Sequence, residues 1–187
     1  IGLGPAPTRL LLARIVARIN ERWPSISLEM VSGHTAQLSE ALLQRKVDLL
    51  VCPPLDVRHE AIASEPLLEA GIVVVVSPSH PMVSEPPSDI SGLFRHPIAI
   101  TFLETRYLSI LRDDYHIELD AQVGRVVCSD FEMLVRVVAN SSRLFTAGPR
   151  FAFADEIAAG HLHVVDLDVP FRHIIQLHTN RDAYPLP

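Results

Sequence analysis

At 187 residues the chain can bury a real core, as one domain or as two small ones. Its 48% hydrophobic and 20% charged residues, with few aromatics, describe an ordinary globular protein. A formal net charge of −6 without basic clusters makes it a poor direct binder of nucleic acid, which needs many phosphate-neutralising cations. No apolar run approaches the roughly 18 residues of a membrane-spanning helix, and no leader with a basic start argues for secretion. Cys52 and Cys128 both sit in apolar, strand-like runs and read as buried thiols rather than as a disulfide or a redox pair.

Ile1–Gly4 reads as the tail of a strand. Pro5-Ala6-Pro7-Thr8 reads as a rigid turn with Thr8 as a helix cap. Leu10, Leu11, Ile15, Val16 and Ile19 then mark the apolar face of a helix to about Trp23, stopped by Pro24. Ile26, Leu28 and Met30 alternate with polar residues, as in a strand with one buried face. Ser32-Gly33-His34-Thr35 is a turn with two candidate caps, His34 and Thr35, of which Thr35 is the better. Leu38, Ala41 and Leu42 form one stripe of a helix ending in the cation Lys46. Val47–Cys52, apolar apart from Asp48, suits a strand buried on both faces, and Pro53-Pro54 stops it. Strand–helix–strand–helix–strand is the pattern of an open, largely parallel sheet. Such sheets bind ligands at the carboxyl ends of their strands, so Pro5–Thr8 and Gly33–Thr35 belong on one rim. A helix start opening from a Gly-containing turn also has free N–H groups and a dipole suited to an anion.

Residues 55–63 read as a polar loop. Residues 66–68 and 71–77 read as further strand, and Ser77–Pro81 as a turn in which His80 is structural. Ser84–Asp89 is rich in proline, serine and acid, the composition of a crossover between subdomains, and Ser88 or Asp89 caps a short helix to Phe94. A second α/β unit follows. It has a strand at 96–100, a turn at 101–106, a helix to about Asp114 and a strand at 121–128. Ser129-Asp130 then caps a helix, Phe131–Asn140, whose stripe is Met133, Leu134, Val137 and Val138. Leu144–Ala147 reads as a strand broken by Gly148-Pro149. A helix from about Arg150 to Ala159 is closed by Gly160, and strands follow at 161–167 and 173–179.

Catalytic signatures are missing: there is no nucleophile elbow, phosphate-binding loop, dinucleotide fingerprint or zinc-protease helix. Asp113-Asp114 would point about 100° apart on a helix, and the other acids read as solvated helix surface. His161-x-His163 places two imidazoles on one strand face, but no third ligand lies nearby in sequence, so the pair reads as a solvated strand edge.

The series Gly33-x-Thr35, Leu38, a helix, Lys46, then Val47-Asp48-Leu49-Leu50-Val51 resembles the effector-binding domain of LysR-type transcriptional regulators. So does a strand running from Val76 into His80-Pro81. The chain departs from the family in having Arg45-Lys46 where a glycine is usual, and Asn140-Ser141-Ser142-Arg143 where Gly-x-Gly is usual. The resemblance implies an α/β fold of two Rossmann-like subdomains joined by two crossover strands, the type 2 periplasmic-binding-protein fold. The expected division is 1–84 with 168–187 against 85–167, with a cleft between them. It also implies a small, anionic effector held by Ala6, Pro7 and Thr8; Gly33, His34 and Thr35; Thr101, Phe102 and Leu103; Ser129; and Thr146, Ala147, Gly148 and Pro149. Phe102 would pack on an apolar body, and Arg106 is a possible charged partner. Neither a cofactor nor a metal is implied, and the expected location is the cytoplasm. The partners expected are a second copy, through Arg9–Trp23, with a tetramer for the full-length protein, and DNA only through a winged helix-turn-helix that this chain lacks. A solute-binding protein of a transport system is the alternative on the same fold.

Overall fold

The computed structural model describes residues 1–101, 105–119, 124–128 and 130–182, with backbone alone at 105 and 106. In chain order the elements are β1 (Gly2–Leu3), α1 (Pro5–Arg22), β2 (Val31–Ser32), α2 (Thr35–Leu43), β3 (Leu49–Cys52) and β4 (Ile62–Val76). They continue with α3 (Ile90–Leu93), β5 (Ile98–Ile100), α4 (Thr105–Tyr115), β6 (Arg125–Val127) and α5 (Phe131–Ala139). The chain then runs through β7 (Phe145–Pro149), α6 (Ala154–Ala158), β8 (His163–Val164) and β9 (Arg172–Asn180). The chain is a mixed α/β protein of two compact units, Ile1–Ala70 with the segment from His173 on, and Gly71–Arg172. The passage between them lies inside β4 and at the start of β9, not at the Pro/Ser-rich loop 84–89. That loop joins β4 to β5, whose Val76 and Ile98 bury their side chains in one core.

The first unit is ordered β2-β1-β3-β9, with β4 beyond β9. β1 pairs in parallel with both neighbours, Gly2 opposite Val31 and Leu50, while β9 runs antiparallel to β3. Leu38 and Leu42 of α2 bury against Leu50, Cys52 and Ile62. The expected strand at 26–30 is not formed. The register leaves β1 opposite only Val31 and Ser32, so residues 26–30 find no ladder and Ile26 stays 54% exposed. Helix α1 begins at Pro5 rather than after Thr8, because proline at the first helical position costs no hydrogen bond.

In the second unit β4, β7, β5 and β6 are adjacent in that order, with β8 also on β4. Period-two alternation loads both sheet faces. Val74, Val76, Ile98 and Ile100 share a core with Ile90, Leu93 and Leu111. Val75 and Ala99 share the other with Leu134, Val135, Val138 and Phe153. The buried stripe of α5 is therefore Leu134, Val135 and Val138; Met133, expected inside, is 47% exposed. The strand β7 also runs on through Pro149, opposite Ile72, instead of breaking at Gly148. A proline is tolerated at the last residue of a strand.

Three helices end on a residue with positive φ: Arg45 at 56°, His116 at 56° and Gly160 at 72°. After α2 the amides of Arg45 and Lys46 donate to Leu42 and Ala41 carbonyls, closing the last turn. Only Gly160 adopts this conformation without a Cβ penalty. At 140–143 no positive φ is used. Instead Ser141 Oγ accepts from the amides of Arg143 and Leu144, both at 3.2 Å, and closes a side-chain turn.

His178 of β9 is fully buried. Its Nε2 lies 3.3 Å from the Pro53 carbonyl and its Nδ1 2.8 Å from Ser64 Oγ. A carbonyl only accepts, so Nε2 carries the proton and Nδ1 accepts from Ser64. The ring thus ties the carboxyl end of β3 to β4. Burial pushes its pKa down, against the raising effect of the carbonyls beside it. Burial also lowers His80, whose Nδ1 accepts from the Met82 amide, with His96 adding to the effect.

Two outcomes follow from these features. Arg45→Gly should raise stability by about 0.5–1 kcal/mol, read as a higher urea midpoint at unchanged slope. Both histidines have depressed folded pKa values, so the unfolded chain binds more protons in acid. Stability should be full above the ordinary histidine pKa of about 6.5 and fall below it, by at most about 1.4 kcal/mol per pH unit per histidine. Urea unfolding between neutral and mildly acid pH checks this. His178→Asn should flatten the slope, and an unchanged slope would show that His178 does not titrate differently on folding.

Candidate functional site

In the first unit the carboxyl ends of β1, β2 and β3 lead into Gly4-Pro5, Gly33-His34 and Pro53-Pro54. The Gly4 amide donates to the Val51 carbonyl at 2.8 Å and the Gly33 amide to the Leu3 carbonyl at 3.2 Å, so the three strand ends are laced together. Ala6 and Pro7 are buried under this rim; Thr8, Gly33, His34 and Thr35 are half-buried on it. Thr8 is not a cap. It sits in the first turn of α1, and its hydroxyl donates to the Gly4 carbonyl at 2.8 Å. Thr35 is the first residue of α2, with His34 at the cap position and no side-chain cap bond.

Thr8 Oγ1 also lies 3.1 Å from Ser32 Oγ, which joins the first turn to the second. Sequence reasoning named Thr8 and passed over Ser32, which it treated only as part of a turn. No local signal marks it; only the strand pairing does, which sets Ser32 at the end of β2 opposite Leu3 at the end of β1.

The helix starts differ in what they offer. The first three amides of an α-helix have no carbonyl partner within it. In α1 these belong to Pro5, Ala6 and Pro7, and two of the three are prolines without an N–H. In α5 the Asp130 carboxylate accepts from the Met133 amide at 2.8 Å and Glu132 adds a second acid, so negative charge already occupies that end. In α2 the first turn contains neither proline nor acid.

In the second unit Thr101 follows the end of β5 and is half-buried. Thr146 and Pro149 are buried within β7, Gly148 is half-buried and Ala147 exposed. Thr146 and Ala147 are strand residues as expected, while Gly148 and Pro149, expected to break the strand, continue it. The parallel pairing of Ile98 with Phe145 carries Thr101 to the level of Gly148. A Cβ at Gly148 would stand 3.1 Å from the Phe153 ring, so that residue keeps the following 3-10 turn close. Phe102, Leu103, Ser129 and the side chain of Arg106 lie outside the described residues.

Both cysteines are buried. Burial pushes the Cys128 thiol up, and the nearby Asp130 carboxylate adds to it. His161 and His163 are exposed on either side of buried Leu162. Among the described residues no three His, Cys, Asp or Glu side chains cluster as a metal site would require. No helix among them is long and apolar enough to cross a membrane.

The fold recurs in solved regulatory domains. The effector-binding domain of QuiR in complex with shikimate superposes with a TM-score of 0.75 at 20% identity, covering 100% of this chain and 88% of that one. A reduced form of OxyR from Neisseria meningitidis gives 0.76 at 16% identity, covering 98% and 86%. By sequence, the transcriptional regulator CysB of Haemophilus influenzae is 26% identical over 90 residues, 48% of this chain and 28% of that protein. The regulator GltR of Bacillus subtilis is 28% identical over 85 residues, 45% of this chain and again 28% of the relative. The matched stretch is thus a little over a quarter of each of these regulators. The model of the LysR substrate binding domain matches residues 1–187, the whole of the chain, and the chain belongs to that family.

Proposed function

We propose that this chain is the ligand-sensing domain of a LysR-type transcriptional regulator, which binds a small effector and controls DNA binding by the whole protein. The observation that carries the reading is family membership over the full chain, joined to loops that gather at the carboxyl ends of parallel strands. The QuiR effector-binding domain, in complex with shikimate, has the same fold. The groups offered to the ligand are Ala6, Pro7, Thr8, Gly33, His34 and Thr35 in the first unit. Thr101, Phe102, Leu103, Ser129 and Thr146–Pro149 in the second are proposed with them. An anionic group on the effector is best met at the start of α2, since α1 keeps only the Ala6 amide among its first three residues and α5 already carries carboxylates.

The domain does no chemistry in this reading; binding shifts the population of conformations that the DNA-binding part reports. Work on DNA in the cytoplasm as a homodimer, or a tetramer of the full-length protein, belongs to the same proposal. Helix α1 supports it: of its 18 residues only Ala6 and Pro7 are buried, and Val16 of its apolar face is 40% exposed.

A thermal-shift screen against aliphatic and aromatic carboxylates, sugar acids and neutral controls tests this. A ligand at 100 times its dissociation constant adds about 2.7 kcal/mol to stability. The expected result is that a carboxylate raises the melting temperature and Thr35→Ala removes the shift while the domain stays folded. A neutral compound acting alone would overturn the anionic assignment and leave the sensor. No shift across the whole set would overturn ligand sensing.

A further inference from the structure

We propose that the effector presents a hydrogen-bond donor, a hydroxyl or an ammonium group, to the paired hydroxyls of Thr8 and Ser32, and that Ser32 is the residue that selects for it. This rests on the effector-sensing reading above and adds the chemistry of one contact.

The argument is an inventory of protons. A threonine hydroxyl has one. Thr8 Oγ1 gives its proton to the Gly4 carbonyl at 2.8 Å, with the Leu3 carbonyl a distant second at 3.5 Å. The 3.1 Å contact between Thr8 Oγ1 and Ser32 Oγ therefore takes its proton from Ser32. Both donors are now used within the protein. What remains on the two oxygens is lone pairs, and Ser32 is exposed with Thr8 half-buried beside it.

Of the first three residues of α1 only Ala6 has an N–H to offer near the pair. Pro5 and Pro7 have no N–H. The Gly4 amide is held by the Val51 carbonyl, the Gly33 amide by Leu3 and the Thr8 amide by Gly4. A bare carboxylate placed here meets lone pairs. To bind it, Ser32 must release Thr8, or Thr8 must release Gly4. A hydroxyl or ammonium meets two acceptors already held in place. An effector that also carries an anionic group then satisfies α2 with one end and this pair with the other.

Calorimetric titration of the chain with probes matched in carbon skeleton tests the proposal: propionate against lactate and alanine, succinate against malate and aspartate, and benzoate against salicylate. The expected result is that, in the series that binds, the hydroxyl- or ammonium-bearing member binds about tenfold tighter, on the scale of one hydrogen bond. Ser32→Ala should remove that preference, leave the unsubstituted member's affinity unchanged and leave the urea midpoint in place. If the unsubstituted members bind as well as their partners, or Ser32→Ala weakens both alike, the donor assignment falls while effector sensing stands. If none of these probes binds at millimolar concentration and the wider thermal-shift set is also silent, effector sensing falls and takes the assignment with it.

Discussion

The first unit depends on the contact between Gly4 and the end of β3. The Gly4 amide donates to the Val51 carbonyl at 2.8 Å, which continues the parallel ladder one residue past β1. A Cβ at Gly4 would stand 3.3 Å from Cys52 Cβ and 3.4 Å from its Cα, against backbone that has nowhere to go. The absence of a side chain there lets the first strand end flush with the third. From that point Pro5 starts α1 with its φ already helical, Thr8 comes round to the Gly4 carbonyl, and Ser32 is brought within reach by the pairing of β2 with β1. A two-residue strand can hold this arrangement because both its neighbours are parallel and in register.

His178 secures the same rim from the other side. Its ring reaches the Pro53 carbonyl just after the β3 end that Gly4 packs against. Burying a neutral imidazole with both nitrogens bonded is inexpensive at neutral pH, and burying it charged is not. The rim and the pH response of the fold therefore share one side chain.

Much of this was legible in the sequence where side-chain pattern and backbone requirement agree. Ser88 or Asp89, and Ser129-Asp130, were read as caps, and Asp89 and Asp130 accept from the amides of Gly92 and Met133. Gly160 was read as a helix-closing glycine and has φ of 72°. The βαβαβ opening was read from period and punctuation, and β1, β2 and β3 are parallel and adjacent. The misreadings share a cause, which is that tertiary partners decide what local pattern leaves open. Ile26–Met30 alternates like a strand but has no neighbour. Met133 and Leu134 are both apolar, and only the sheet chooses between them. Residues 62–76 look broken by exposed polar residues, yet form one strand. Thr8 and Thr35 have the chemistry of caps, but Pro5 moves the start of α1 ahead of Thr8, and α2 begins at Thr35 itself. Ser32 was invisible because its partner is 24 residues away.

The likeness to OxyR domains invites a comparison that the side chains answer. A redox-sensing cysteine needs an exposed thiolate in an electropositive setting. Cys128 is 2% exposed, its thiol is raised by burial, and its charged neighbour is the carboxylate of Asp130, which raises it further. Cys52 is fully buried, and its Sγ lies 3.1 Å from the Pro53 carbonyl, as a protonated donor would. Each feature moves the thiol away from reactivity, on a backbone that superposes on OxyR with a TM-score of 0.76. Fold likeness therefore says where loops will gather, and not what they do when they get there. In this chain the loops of the first unit bring together prolines, spent hydroxyl protons and, at α2, a helix start free of both proline and acid. That pattern of donors and acceptors suits the recognition of a ligand better than the activation of a nucleophile.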